Sequence, residues 1–126
     1  LLERVAVHRE IVAAYRVLQA SPQTHQITVS LPCADAPLGR SLHEDEFVTA
    51  TWTVATPEDE TIKGKVARRR HRILRLLQEA QDQGAAPTHS HLAEALGFSR
   101  RTIERDMAAL QREYPRLPPT RGRMSE

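Results

Sequence analysis

Apolar and polar residues alternate with a period of two over parts of the first half of this chain and with a helical period over the second half, and the change falls near residue 60. Leu1 to Ala20 holds good helix formers and no Gly or Pro, and Val5, Val12, Tyr15 and Leu18 can share one helical face. Ser21-Pro22 ends that predicted helix. Ile27, Val29 and Leu31 then alternate with Thr28 and Ser30, a strand pattern that Pro32 stops. After a loop of about fifteen residues, Phe47 to Thr56 predicts the clearest strand, with Val48, Ala50, Trp52 and Val54 on one side and Thr49, Thr51 and Thr53 on the other. Two strands alone are not stable in water. Their cover is expected from the first helix, from a second copy of the chain in a homodimer, or from both; a monomeric α+β lobe packed on the later helices is the alternative. Trp52 is expected in the core, the alternative being an effector pocket between it and the long loop.

Beyond residue 60 the helical period takes over. Pro57 to Glu60 reads as a linker or helix approach, and Thr61 to Gly84 as one helix with Val66, Ile73, Leu77 and Ala80 along a stripe. Two short helices follow, the first carrying Leu92, Ala93 and Leu96, the second Ile103, Met107 and Leu110. Gly97 can take the positive φ that ends the first, and Ser99 is a good N-cap for the second. Thr88 begins a capping box in which His91 replaces the usual carboxylate, a change expected to weaken the cap without removing it. This is the spacing of a helix-turn-helix, and the longer helix behind it would complete a trihelical core. Pro115, Pro118 and Pro119 prevent the regular strands that a full wing needs. The predicted class is α+β: an N-terminal helix and a two-stranded antiparallel element over 1–60, serving dimerisation or partner binding, then a trihelical helix-turn-helix lobe without a full wing over 61–126, with a basic C-terminal arm.

The stretch LAEALGFSRRTIERDMAAL, Leu92 to Leu110, resembles the DNA-binding segment of DeoR-type bacterial regulators, whose second helix reads S-x-R-T-I-x-R-D-x-x-x-L. LRLLQEAQDQG, GFSRRTIERD and PPTRG together resemble an uncharacterised prokaryotic family known as a domain of unknown function, over roughly the last half of the chain. The resemblances imply DNA binding and suggest that Asp106 is structural, pairing with an arginine on the preceding helix.

Charge sharpens this picture. Residues 1–60 hold 4 Lys/Arg against 9 Asp/Glu, a net of −5, whereas residues 61–126 hold 14 against 7, a net of +7. Such segregation points to a polyanion for the second half. Lys63, Lys65, Arg68, Arg69, Arg70, Arg72 and Arg75 stand on one helix with no acid among them. Since like charges one turn apart destabilise an isolated helix, phosphates near Arg68, Arg69 and Arg72 are expected to offset them; a solvated basic face is the alternative. On the second short helix, Arg100, Arg101 and Arg105 are candidates for reading bases, because Arg can donate two hydrogen bonds to guanine O6 and N7. Ser99 and Thr102 are candidates for holding phosphates, aided by helix N-terminal amides, the alternatives being a plain cap and β-branched filler. Arg121-Gly122-Arg123 can enter a narrow minor groove as an arm, with Arg121 and Arg123 as its contacts, or be disordered.

Other chemistry is weakly signalled. His89 and His91, two residues apart, face different sides of a helix, and one Cys cannot complete a thiolate site, so neither metal nor cofactor is expected. Phosphate-binding loops and nucleophile motifs are missing from the sequence, and an enzyme is not expected. No apolar run approaches the ~20 residues of a membrane span, no signal-peptide pattern is seen, and Cys33 stands alone, so a cytoplasmic protein is expected. The leading expectation is a sequence-specific transcriptional regulator that docks a helix-turn-helix on double-stranded DNA. The alternatives are an adapter resembling region 4 of sigma factors, docked to a larger polymerase, transposition or partition complex through residues 1–60, and an RNA binder, which the scarcity of aromatic residues disfavours.

Overall fold

The computed structural model of the chain describes residues 23–35 and 46–121; the predicted first helix, much of the long loop, and Gly122 and Arg123 lie outside them. Strand β1, His25–Pro32, pairs antiparallel with β2, Phe47–Ala55. The register puts Ile27 opposite Trp52, Val29 opposite Ala50 and Leu31 opposite Val48. Because side chains alternate across a strand, this aligns the apolar residues on one face. Ile27, Val29, Leu31, Ala50, Trp52 and Val54 are all buried, while Thr28, Thr49 and Thr51 are exposed. Thr53 departs from the alternation: it is buried and its Oγ1 accepts from Gln26 Nε2 at 3.1 Å. Pro32 does not quite end the pairing, since its carbonyl accepts from the Ala86 amide at 2.9 Å and Cys33 bridges Ala85.

The cover for this sheet comes from within the chain. Helix α1, Lys65–Asp82, buries Ile73, Leu76, Leu77 and Ala80. Trp52, fully buried, donates its indole N–H to the Leu76 carbonyl at 2.9 Å, which satisfies the polar atom that burial would otherwise penalise. Side chains of α1 and its C-cap also close the free edge of β2. Glu79 accepts from the Thr53 amide at 2.7 Å, Arg75 Nε donates to the Thr53 carbonyl at 2.9 Å, and Gln83 makes both bonds to the Thr51 backbone at 2.8 and 2.9 Å. An edge so occupied offers no template for another strand there. The need for cover that pointed to a partner chain is therefore met, for this face and this edge, by α1.

Two boundaries differ from expectation. Pro57–Thr61, read as a linker or a helix approach, is a short 3-10 helix, and α1 begins at Lys65 rather than Thr61 because Gly64 takes φ 93°. Val66 lies in the first turn and is 46 % exposed; the core stripe starts further on and includes Leu76. Helices α2, His89–Leu96, and α3, Arg100–Glu113, pack against each other and complete three helices. One hydrophobic cluster runs from Ile27 on the sheet through Leu77 to Leu92, Ile103 and Leu110, so residue 60 does not separate two cores.

The turn between α2 and α3 follows its residues. Gly97 adopts φ 77° and ψ 32°, and the amides of Gly97 and Phe98 both donate to the Ala93 carbonyl, at 2.9 and 3.0 Å. A Cβ added there meets nothing within 4 Å, so the cost of Gly97→Ala is that of the left-handed backbone alone. A loss of about 1–2 kcal/mol is expected, read as a lower urea midpoint with an unchanged slope. An unchanged midpoint would show that the turn does not need this conformation.

Candidate nucleic-acid interface

Helix α3 is amphipathic in sequence and in place. Ile103, Asp106, Met107 and Leu110 face inward, while Arg101, Glu104, Arg105, Ala108 and Arg112 are exposed. At 100° per residue, Arg101, Arg105, Ala108 and Arg112 fall on one stripe. Arg101 and Arg105 form no salt bridge among the described residues, and the small Ala108 leaves the backbone between Arg105 and Arg112 approachable. Arg100 differs, since its Nε donates to Glu104 Oε1 at 3.1 Å one turn on. Ser99 caps the helix as its sequence predicts: its Oγ accepts from the Thr102 amide at 3.1 Å and lies 2.9 Å from Thr102 Oγ1. Both candidate phosphate hydroxyls are thus joined at the N-terminus of α3.

The capping box of α2 forms with both of its bonds. Thr88 Oγ1 accepts from the His91 amide at 3.2 Å, and His91 Nδ1 accepts from the Thr88 amide at 3.1 Å. The imidazole therefore does the work of the usual carboxylate, which requires Nδ1 without a proton.

The basic face of α1 is largely committed inside the protein. Asp59, fully buried in the 3-10 helix, receives Arg72 Nε at 2.9 Å and both terminal nitrogens of Arg75, at 2.7 and 2.9 Å. The Thr56 amide adds a bond of 3.0 Å. Burial pushes the Asp59 carboxyl up, but the hydrogen bonds from Arg75, Arg72 and the Thr56 amide outweigh it and hold the group well below the usual carboxylate range. Arg68 Nε and Nη2 donate to the carbonyls of Asp59 and Ile62, at 3.1 and 3.0 Å.

A second carboxylate takes the next two arginines. Asp106, 1 % exposed, faces α1 and receives Arg69 through Nε and, at 3.0 Å, through Nη2, and Arg70 through Nε at 3.1 Å. Burial raises the Asp106 carboxyl, yet the bonds from Arg69 and Arg70 bring it below its ordinary value, and the bond to Asp106 raises Arg69. The Arg69 guanidinium also lies over the Phe98 ring, 5.0 Å from its centroid. It therefore links α1, α3 and the turn before α3.

Three expected contacts are thus relocated. Arg68, Arg69 and Arg72 have protein oxygens as partners where phosphates were expected, which explains why the cluster is tolerated on one helix. Arg121 is 4 % exposed and its amide donates to the Pro87 carbonyl at 2.9 Å, so this residue is held against the body of the protein; Gly122 and Arg123 lie outside the described residues. The sequence reading missed Asp59. Its signal was Thr56-Pro57-Glu58-Asp59, a capping-box pattern that the structure forms.

Fold and site together define an α+β chain with a trihelical helix-turn-helix unit whose last helix turns arginines outward. The chain belongs to the family described as Protein of unknown function (DUF1670), whose sequence profile matches residues 5–126. That match reaches far beyond the C-terminal half in which the likeness was first visible. No curated protein and no solved structure matches the chain, and among the described residues no helix is long and apolar enough to cross a membrane.

Proposed function

We propose that this protein is a sequence-specific DNA-binding transcriptional regulator, and that α3 enters the major groove. The observation that carries the reading is the exposed pair Arg101 and Arg105, one turn apart on a capped helix whose other side is fixed to the core by Asp106. The likeness of Ser99 to Leu110 to the second helix of DeoR-type regulators points the same way. Base reading falls to Arg101 and Arg105 in this account. Arg100, bonded to Glu104, serves as an auxiliary contact, and Ser99 and Thr102 face a phosphate at the helix N-terminus.

The reading is tested by fluorescence anisotropy on duplexes of defined sequence. Arg101→Ala or Arg105→Ala is expected to weaken binding to a preferred duplex by about 1–3 kcal/mol, with little change on a scrambled duplex. Equal losses on both duplexes would make these residues phosphate contacts only; no loss on either would remove α3 from the interface. Competition by duplex RNA at fixed salt distinguishes the two nucleic acids, and DNA is expected to compete better.

A further inference from the structure

We propose that Arg70 seats a backbone phosphate of the duplex, held in place for that purpose by Asp106 beneath the recognition helix. The inference rests on the DNA-binding reading above and adds a residue from a different helix to it.

Asp106 carries one negative charge and receives two guanidinium groups. Neither Arg69 nor Arg70 has another acidic partner among the described residues, so the cluster keeps one positive charge in surplus. The two arginines divide the carboxylate unequally. Arg69 binds through two nitrogens and its side chain is 14 % exposed; Arg70 binds through Nε alone and its side chain is 33 % exposed. Both terminal nitrogens of Arg70 are without a hydrogen bond among the described residues. A guanidinium fixed through Nε, with its outer nitrogens uncommitted and wet, is pre-organised for a bidentate anion.

Position supplies the identity of that anion. Asp106 lies four residues from Thr102 and seven from Ser99, spacings that place all three along the same flank of α3. Arg70 is therefore delivered to the flank on which the N-cap stands, one side of the helix away from the Arg101 and Arg105 stripe. A groove wall beside a docked helix is phosphodiester backbone. On the other side, Val66 and Ala67 in the turn of α1 preceding Arg70 are exposed, as is Lys65, so the approach is open and carries the same sign of charge. Arg72 and Arg75 on the same helix do not qualify: Arg72 is 14 % exposed and has both Asp59 and Glu60 as acidic neighbours, and all three nitrogens of Arg75 are taken by Asp59 and the Thr53 carbonyl.

The test is the salt dependence of binding to a labelled duplex of random sequence, using the full chain. Each phosphate neutralised contributes about 0.9 to the slope of log K against log [salt]. Arg70→Gln should lower the slope by about that amount, which at ~0.1 M monovalent salt amounts to about eightfold in affinity, with no change in sequence preference. Arg70→Lys should keep the slope. If Arg70→Gln melts below the working temperature, protection of Arg70 in the wild-type chain from phenylglyoxal by the same duplex, read by peptide mass spectrometry, decides in its place. A wild-type chain that binds duplex with a slope unaltered by Arg70→Gln, or with Arg70 unprotected, overturns this inference and leaves the DNA reading standing. A wild-type chain that binds no duplex overturns both.

Discussion

Asp59→Ala is expected to cost about 3–5 kcal/mol of folding stability, because it leaves Arg72 and Arg75 partly buried without their carboxylate. Domains of this size are stable by about 5–15 kcal/mol, so the variant should be largely unfolded in mild urea in which the wild type is native. The pH dependence carries the same signature. The Asp59 carboxyl is held below its value in an unfolded chain, so its contribution is full above the unfolded value near pH ~4 and is lost as pH falls toward the folded one. Asp106 is shifted in the same direction. Stability should therefore decline on the acid side of about pH 4, and Asp59→Asn should flatten that decline while costing less at pH ~7 than Asp59→Ala. Urea midpoints at neutral and acid pH measure both effects. An Asp59→Ala midpoint equal to wild type would show that the arginines are adequately solvated without it.

Asp106→Ala should have the next largest effect, about 3 kcal/mol, and it should reach function without touching a base. Asp106 binds α3 to α1, and Arg69 carries the same contact to Phe98 in the turn. Without the carboxylate, α3 keeps its outward arginines but loses the bond that fixes their direction. A reduced discrimination between preferred and scrambled duplexes is expected at a temperature where the variant is still folded. A charged pair replaced on both sides by apolar groups is often tolerated, so Arg69→Met added to Asp106→Ala should recover part of the stability. Strict additivity of the two substitutions would contradict a direct coupling.

The strands were legible because their alternation is local: Ile27, Val29 and Leu31 face Trp52, Ala50 and Val48 in the structure without any further information being needed. The turn was legible for the same reason, since Gly97 and Ser99 act within three or four residues of themselves. The basic face was legible as a charge but not as a set of partners. Within α1 no acid neighbours the arginines, yet Asp59 lies 13 and 16 residues from Arg72 and Arg75, and Asp106 lies 37 and 36 residues from Arg69 and Arg70. Only the packing of three elements brings them together. Val66 shows the matching limit of periodicity, which finds a stripe but not where its partner ends. Arg121 shows that prolines predict the lack of a regular strand and say nothing of where the chain then goes.

His91 adds a chemical point. The capping-box bond at this position needs only an acceptor, and an unprotonated imidazole nitrogen supplies one as a glutamate carboxylate would.

Selection of bound sequences from a pool of random duplexes decides whether the outward stripe of α3 reads duplex DNA. A short motif containing guanines should be enriched, and lost from the selected pool when Arg101 and Arg105 are both replaced by Ala; a palindromic motif would identify a homodimer and a single unrepeated one a lone chain on each duplex. A pool returned without enrichment, from a chain that is folded and binds duplex no better at low salt than at high, would contradict that role for α3.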